Sequence, residues 1–256
     1  MKNIRKWLST PIHQLVIVDY NCPEKTGKEV LKKYAYDSRI TVLVVNAVQS
    51  GPFFQPARAR NIGAQAAKSE YLMFLDADCS IESSFYEDYF TRAELHERDS
   101  GEDLCTFIPG LESLEDPIQM PSNWQLYNQF LVRNALFYAC NGFNEFQPGW
   151  GSYAVDLQKR VASLTNSVYV CGANDYQFHT EEHDDAMRDR YLPTKLPADE
   201  FGGKGKAYAE TFNFFSAFRK ISVRAQPGMR FGLESYSSHV RMFVGGIERN
   251  FNPGEL

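Results

Sequence analysis

The run Tyr71-Leu-Met-Phe-Leu-Asp-Ala-Asp-Cys-Ser80 constrains the fold more than any other stretch of the chain. Five apolar residues without alternation, 71 to 75, predict a strand buried on both faces, as in a parallel sheet. Ligands of such sheets gather at the carboxyl ends of the strands, and Asp76 and Asp78 stand at that end. In extended backbone, side chains at i and i+2 lean to one side, so the two carboxylates repel unless a cation or hydrogen-bond donors lie between them. A hard divalent ion carrying a diphosphate meets that need, because such an ion takes one or two carboxylates plus phosphate oxygens. The same residues also suit a polar turn closing a strand, where Asp is common.

Upstream of this run, strand and helix signals alternate. His13 to Asp19 is a short apolar strand, residues 21 to 27 form a turn, and Lys28 to Tyr34 is helical. Ile40 to Val45 reads as the next strand. After a loop containing Gly and Pro, the Ala-rich segment Ala57 to Lys68 reads as a helix that delivers the chain to the acidic strand. Ser83 to Arg98 is a further helix, and Leu104 to Ile108 a further strand. This order predicts βαβ units and a mostly parallel sheet flanked by helices.

The chain has 256 residues, of which 43% are apolar, enough for a substantial core in one large α/β domain or two small ones. A formal charge of −5 gives no general attraction for nucleic acid. No apolar run reaches the length of a membrane span, and Met1-Lys-Asn-Ile-Arg-Lys6 lacks the apolar centre of a signal peptide, so a cytoplasmic protein is expected. Cys22, Cys79, Cys105, Cys140 and Cys171 are widely separated and never form a Cys-x-x-Cys pair, which indicates neither a zinc site nor a disulfide framework.

Three segments in order, Val16-Ile-Val-Asp-Tyr-Asn-Cys-Pro23, Ala57-Arg-Ala-Arg-Asn-Ile-Gly-Ala-Gln-Ala-Ala67 and Phe74-Leu-Asp-Ala-Asp78, resemble the nucleotide-sugar half of family 2 glycosyltransferases with the GT-A fold. Downstream, Phe130 to Glu145 and Gly149-Trp-Gly-Ser152 resemble the acceptor-side segment that this group shares with galactosyltransferases and polypeptide N-acetylgalactosaminyltransferases. The resemblance covers roughly residues 8 to 185. It implies a GT-A domain over 1–190, with a nucleotide-sugar half to about 110 and an acceptor half over 111–190, and a helical and loop extension over 191–256 packed on the same domain.

The resemblance also implies roles. Asp19 would accept hydrogen bonds from the nucleotide base or ribose, and Arg60 and Asn61 would face the nucleotide or donor sugar, while Gly63 permits close helix packing. For Arg58 a solvated surface charge is expected. Asp76 would contact the ribose and the shell of the metal, Mn2+ or Mg2+, and Asp78 would ligate it directly. Trp150 would line the sugar pocket. Within Tyr169 to His183, relatives place a metal-ligating histidine; His179 is the first choice here and His183 the second, although two histidines at i, i+4 also suit a helical zinc pair.

Two departures stand out. Relatives follow Gly-Trp-Gly-Gly with an acidic pair that binds the acceptor or acts as base, whereas Tyr153 and Ala154 occupy those positions here and neither is an ordinary carboxylate base. Glu145 and Asp156 are the candidate substitutes, and Asp156 equally suits an i, i+4 helix-surface pair with Arg160. The family's usual first strand is not recognisable, since Met1 to Pro11 looks like the helix that follows it. A sheet lacking a central strand leaves backbone groups to be paired by another segment or subunit.

The activity implied is metal-dependent transfer of a hexose or N-acetylhexosamine from a nucleoside-diphosphate sugar, a UDP-sugar by preference, to a glycan or other hydroxyl acceptor. The alternative is a degenerate GT-A protein that binds nucleotide sugar or glycan without turnover. A sugar nucleotidyltransferase should carry a Gly-rich basic phosphate loop near its N-terminus, and residues 1 to 30 contain none. The aromatic stripe of Tyr208, Phe212, Phe215 and Phe218 reads as helical core, and the tail from Pro227 as an acceptor-binding or oligomer-forming appendage.

Overall fold

A computed structural model describes residues 2–22, 24–45, 56–81, 83–100, 106–110, 130–143, 157, 168–172, 178–180 and 240–251. In chain order the elements are α1 (Lys2–Leu8), β1 (Leu15–Tyr20), α2 (Thr26–Tyr34), β2 (Ile40–Val45), α3 (Pro56–Ala66), β3 (Tyr71–Phe74), β4 (Cys79–Ile81), α4 (Ser83–Ser100), β5 (Thr106–Gly110), β6 (Phe130–Arg133), α5 (Asn134–Ala139), β7 (Val168–Gly172), β8 (Phe178–Thr180), β9 (Val240–Val244) and β10 (Ile247–Arg249). They fall into two compact units. One comprises Met1–His13, Ser69–Cys140 and Leu157–Glu182, the other Gln14–Lys68, Asn141–Asp156 and His183–Leu256.

In the unit that begins at Gln14, the β-branched runs of β1 and β2 pair in parallel, Leu15 opposite Ile40 and Tyr20 opposite Val45, with α2 as the crossover between them. Helix α3 lies close on β1 because Gly63 has no side chain; a Cβ there would sit 3.2 Å from Val18 Cγ2. The Gln14 amide joins three segments, donating to Thr41 Oγ1 at 2.9 Å and to the Ala66 carbonyl at 3.0 Å while accepting from the Lys68 N–H at 2.9 Å. Leu43, Val45, Ile62, Ala66, Val240 and Phe251 form the core, with Val16, Val18, Tyr20 and Met242 packed against it.

Two of those core residues come from the C-terminal region expected to be helix and loop. Strand β9 pairs antiparallel with β2, β10 with β9, and the sheet order is β1-β2-β9-β10. The hairpin turns at Gly245 and Gly246, both at positive φ (53° and 78°), as a two-residue turn with left-handed central residues requires. The period-2 register of Val240, Met242 and Val244 is the sequence signal that an appendage reading passes over. Among the residues from 191 onward, the structure describes these strands and their immediate surroundings only.

In the unit that begins at Met1, the sheet order is β3-β6-β5-β7, with β3 and β5 antiparallel to β6 and β5 parallel to β7. Leu72, Phe74, Leu131, Val132, Leu136 and Phe137 are buried, and the Phe74 and Phe137 rings lie 5.3 Å apart. The fold is α/β with a mixed sheet, as expected, but its parallel share is smaller than the sequence suggests. Two of the seven described strand pairings are parallel. Strand β3 itself has an antiparallel neighbour, and its burial alternates, with Leu72 and Phe74 buried and Tyr71 and Met73 half-buried. The apolar run reads as doubly buried because Tyr71 and Met73 are apolar in type, whereas the fold leaves both half-buried.

Candidate functional site: an acidic turn at the end of β3

Strand β3 ends at Phe74, and the two carboxylates lie beyond it in a turn closed by the Cys79 N–H donating to the Asp76 carbonyl at 3.0 Å. The i, i+2 carboxylates are therefore brought together by a turn and not by extended backbone. Ligand atoms of Asp76, Asp78 and Cys79 lie within 4.8 Å of one another, the carboxylates half-buried and the thiol buried. The Cys79 thiol donates to Asp78 Oδ1 at 3.6 Å. Two carboxylates are hard oxygen donors of the kind that Mg2+ and Mn2+ accept, so the residues present fit such an ion.

Helix α1 holds this turn in place with three side chains. Asn3 Nδ2 donates to the Ala77 carbonyl (3.2 Å), Lys6 Nζ to Ser80 Oγ (3.4 Å) and Trp7 Nε1 to the Cys79 carbonyl (3.0 Å). Positions 3, 6 and 7 share one helix face by the i, i+3, i+4 rule. Asn3 and Trp7 are buried, as is Ser80. Asn3, Lys6 and Trp7 escaped sequence reasoning. Their signal was polar or N–H-tipped side chains on the face of a short helix that also buries Ile4.

On the far side of the turn, β4 pairs antiparallel with β8, placing Cys79 opposite Thr180 and Ser80 opposite His179. The backbone of His179 is thus paired two residues beyond Asp78.

Asp19 lies near the end of β1 and is buried. Its Oδ1 accepts the Cys22 N–H and its Oδ2 the Gly27 N–H, both at 2.8 Å. A carboxylate at the first turn of α2 satisfies one of the helix's orphan donors and complements its dipole. Gly27 is required there, because a Cβ would stand 2.7 Å from Asp19 Oδ2. The loop between them carries Asn21 and Lys25 in left-handed backbone.

Arg60 and Asn61 sit side by side on α3. Asn61 is buried, and its amide exchanges two hydrogen bonds with the backbone of Phe143, donating to the carbonyl and accepting from the N–H, both at 2.8 Å. The guanidinium carbon of Arg60 stands 5.5 Å from the centre of the Phe143 ring. Arg58, expected as a solvated surface charge, is instead buried at 8% exposure; it lies at the start of α3, among Pro56 and Ala57 that are buried with it. Glu145, Trp150, Asp156 and His183 lie outside the described residues, as do Tyr153, Ala154 and the stripe from Tyr208 to Phe218. Among the described residues no helix is long and apolar enough to cross a membrane.

Residues 1–96 match the family model described as glycosyltransferase like family 2. No curated protein sequence matches the chain. Among solved structures, the chain is similar to S. aureus TarS 1-349 in complex with UDP-GlcNAc, at 15% identity and TM-score 0.55, over 91% of this chain and 71% of that one. It is similar also to GalNAc-T7 with UDP, GalNAc and Mn2+, at 13% identity and TM-score 0.55, over 93% of this chain and 51% of the other. A further S. aureus TarS structure matches at 14% identity and TM-score 0.52, over 91% of this chain and 43% of that one. With the family match confined to residues 1–96, these similarities show that the chain has the GT-A glycosyltransferase fold.

Proposed function

We propose that the chain transfers a hexose or N-acetylhexosamine from a UDP-sugar to a hydroxyl of a glycan acceptor, with a divalent cation, Mn2+ or Mg2+, held by the acidic turn. The observation that carries this reading is the convergence of Asp76 and Asp78 at the end of β3, braced by α1. The similar S. aureus TarS structure is a complex with UDP-GlcNAc and the GalNAc-T7 structure one with UDP, GalNAc and Mn2+, which supports the choice of donor and ion.

In this reading Asp78 and one of His179 and His183 hold the ion, and Asp76 reaches the ribose. When bound, the ion neutralises the negative charge that develops on the diphosphate as the anomeric bond breaks. Asp19 shapes the loop that meets the nucleotide, Arg60 faces the nucleotide or donor sugar, and Trp150 offers an indole face to the sugar. Glu145 or Asp156 takes the proton of the acceptor hydroxyl.

Calorimetric titration of UDP with and without Mn2+, on the native chain and on Asp78→Ala, tests the proposal. Metal-dependent binding that disappears in Asp78→Ala supports it, and donor hydrolysis with an acceptor screen then separates hexose from N-acetylhexosamine. Nucleotide binding without turnover on any donor favours the degenerate reading, which the sequence departure at Tyr153 and Ala154 motivates. Absence of UDP binding under every metal condition overturns the transfer reading and turns the degenerate one to glycan binding alone.

A further inference from the structure

The bond from the Cys79 N–H to the Asp76 carbonyl closes a four-residue β-turn with Ala77 and Asp78 at its centre. Neither central residue is at positive φ, which excludes turn types II, I′ and II′ and leaves a turn of the type I class. Types I and II differ by a half-turn of the central peptide, here the one joining Ala77 to Asp78. That rotation carries the Ala77 carbonyl to the opposite face of the turn and Asp78 to positive φ. Asp enters left-handed backbone more readily than most residues, so Asp78 by itself leaves the rotation open. The Ala77 carbonyl, however, accepts a hydrogen bond from Asn3 Nδ2 at 3.2 Å, across 74 positions of sequence. Asn3 is buried at 5% exposure on α1, beside buried Ile4 and Trp7. Its amide therefore meets the carbonyl whose direction decides the turn type.

The consequence falls on the carboxylates. Asp76 is the first residue of the turn and Asp78 the third, so a half-turn of the peptide between 77 and 78 redirects the Cα–Cβ bond of Asp78 and leaves that of Asp76 in place. In the arrangement that Asn3 holds, ligand atoms of Asp76, Asp78 and Cys79 come within 4.8 Å of one another. Like charges so close favour a geometry that parts them, and the donor on the Ala77 carbonyl opposes that change. We infer that Asn3 locks the central peptide of the acidic turn and so is a positioning residue, keeping the Asp78 carboxylate aimed beside that of Asp76 for a divalent cation. The inference rests on the metal reading proposed above. Asn3 acts on the direction of one peptide, whereas Trp7, bonded to the Cys79 carbonyl, anchors the strand β4 that starts where the turn ends.

The test pairs a readout of the turn with one of the ion. The intraresidue HN–Hα NOE of Asp78, markedly stronger at positive φ, is measured in the metal-free native chain, Asn3→Ala, Asn3→Leu and Ile4→Val. Mn2+ is then titrated into each, with and without UDP, and free Mn2+ is read by its EPR signal. Asn3→Leu removes the donor at nearly constant volume, so it remains informative where Asn3→Ala fails to fold. Ile4→Val trims the buried core of the same helix without touching the turn, and so controls for lost stability. Both Asn3 variants are expected to bring Asp78 to positive φ and to weaken Mn2+ binding about tenfold, while Ile4→Val keeps the native NOE and stays within about twofold in Mn2+ affinity. Asp78 still at negative φ in the Asn3 variants overturns the lock. Asp78 at positive φ with Mn2+ affinity unchanged overturns its role toward the ion, and an equal loss of Mn2+ affinity in Ile4→Val does the same. A native chain that takes up no Mn2+, with or without UDP, sinks the metal reading and the positioning role with it, while the NOE still decides whether Asn3 sets the turn.

Discussion

Trp7 donates its indole N–H to the carbonyl of Cys79 at 3.0 Å, so a residue of the first helix fixes the backbone of the acidic turn across 72 sequence positions. The bond is buried, and a buried carbonyl that loses its donor loses a contribution of about 1 kcal/mol and gains a desolvation cost. Trp7→Phe keeps an aromatic ring and removes the donor. It is expected to lower stability by about 1–2 kcal/mol in urea unfolding and to weaken Mn2+-dependent UDP binding roughly tenfold, as loss of an outer-shell support does at other metal sites. Stability lost with metal-dependent affinity unchanged would reduce Trp7 to a packing residue.

Asp19 and Gly27 form a second paired requirement. Gly27→Ala forces a Cβ to within 2.7 Å of Asp19 Oδ2 and breaks the Gly27 N–H bond that the carboxylate accepts. The expected cost is about 1–3 kcal/mol, read as a shift of the urea midpoint with an unchanged m-value. Asp19→Asn places an NH2 group against one of two backbone donors and should destabilise by a similar amount. In the double variant the two costs should not add, because both substitutions remove the same contact.

The sequence made some of this legible and hid the rest for physical reasons. Apart from β4, the strands and helices of the first hundred residues are readable because their apolar period and turn residues are local; Ile40–Val45 matches its expected bounds, and the helix ends shift by up to two residues. The packing role of Gly63 came from the family resemblance, and the close approach of Val18 agrees with it. The partners of the acidic turn are not readable in this way. Asn3, Lys6 and Trp7 meet residues 77 to 80 only after the chain has folded back, and nothing near position 7 in the sequence names Cys79. The same holds for Asn61. The family resemblance implied a ligand contact for it, and only the fold shows its amide committed to Phe143. Arg58 reads as a surface charge because an arginine on an Ala-rich helix usually is one, and its burial depends on tertiary surroundings.

Arg133 joins Tyr71, Glu70 and Glu97. It forms ion pairs with both glutamates, its guanidinium lies 5.4 Å from the centre of the Tyr71 ring, and the Tyr71 hydroxyl donates to Glu97 Oε1 at 2.7 Å. The side chains of Arg133 and Glu97 are only 18% and 20% exposed, so removing the arginine leaves Glu97 partly desolvated without its cation. Arg133→Met is expected to destabilise by about 1–3 kcal/mol. The Glu70 pair, whose carboxylate is 63% exposed, should contribute little, and Glu70→Gln is expected to change stability by less than about 0.5 kcal/mol. A double-mutant cycle on Arg133 and Glu97 measures the coupling directly; a coupling near zero would show that the cluster only fills space.

Tyr86 on α4 is buried at 3% exposure, and burial pushes its phenol from 10.0 up to about 12. The folded state therefore holds the phenolic proton more tightly than the unfolded chain does. The stabilisation this confers is fully present below pH 10 and is lost as pH rises from about 10 to about 12, where the unfolded state ionises and the folded state does not. Tyr86→Phe has no proton to lose at that position. Urea unfolding of the native chain and of Tyr86→Phe between pH 9 and pH 12 should show the native chain losing more stability across the window, by a difference on the order of 2 kcal/mol. Tyr71 is pushed up as well, chiefly by burial and then by its bond to Glu97, and it adds the same alkaline sensitivity to both proteins, so it cancels in the comparison. Equal losses in the two proteins would show that the Tyr86 hydroxyl reaches solvent readily enough to ionise in the folded state.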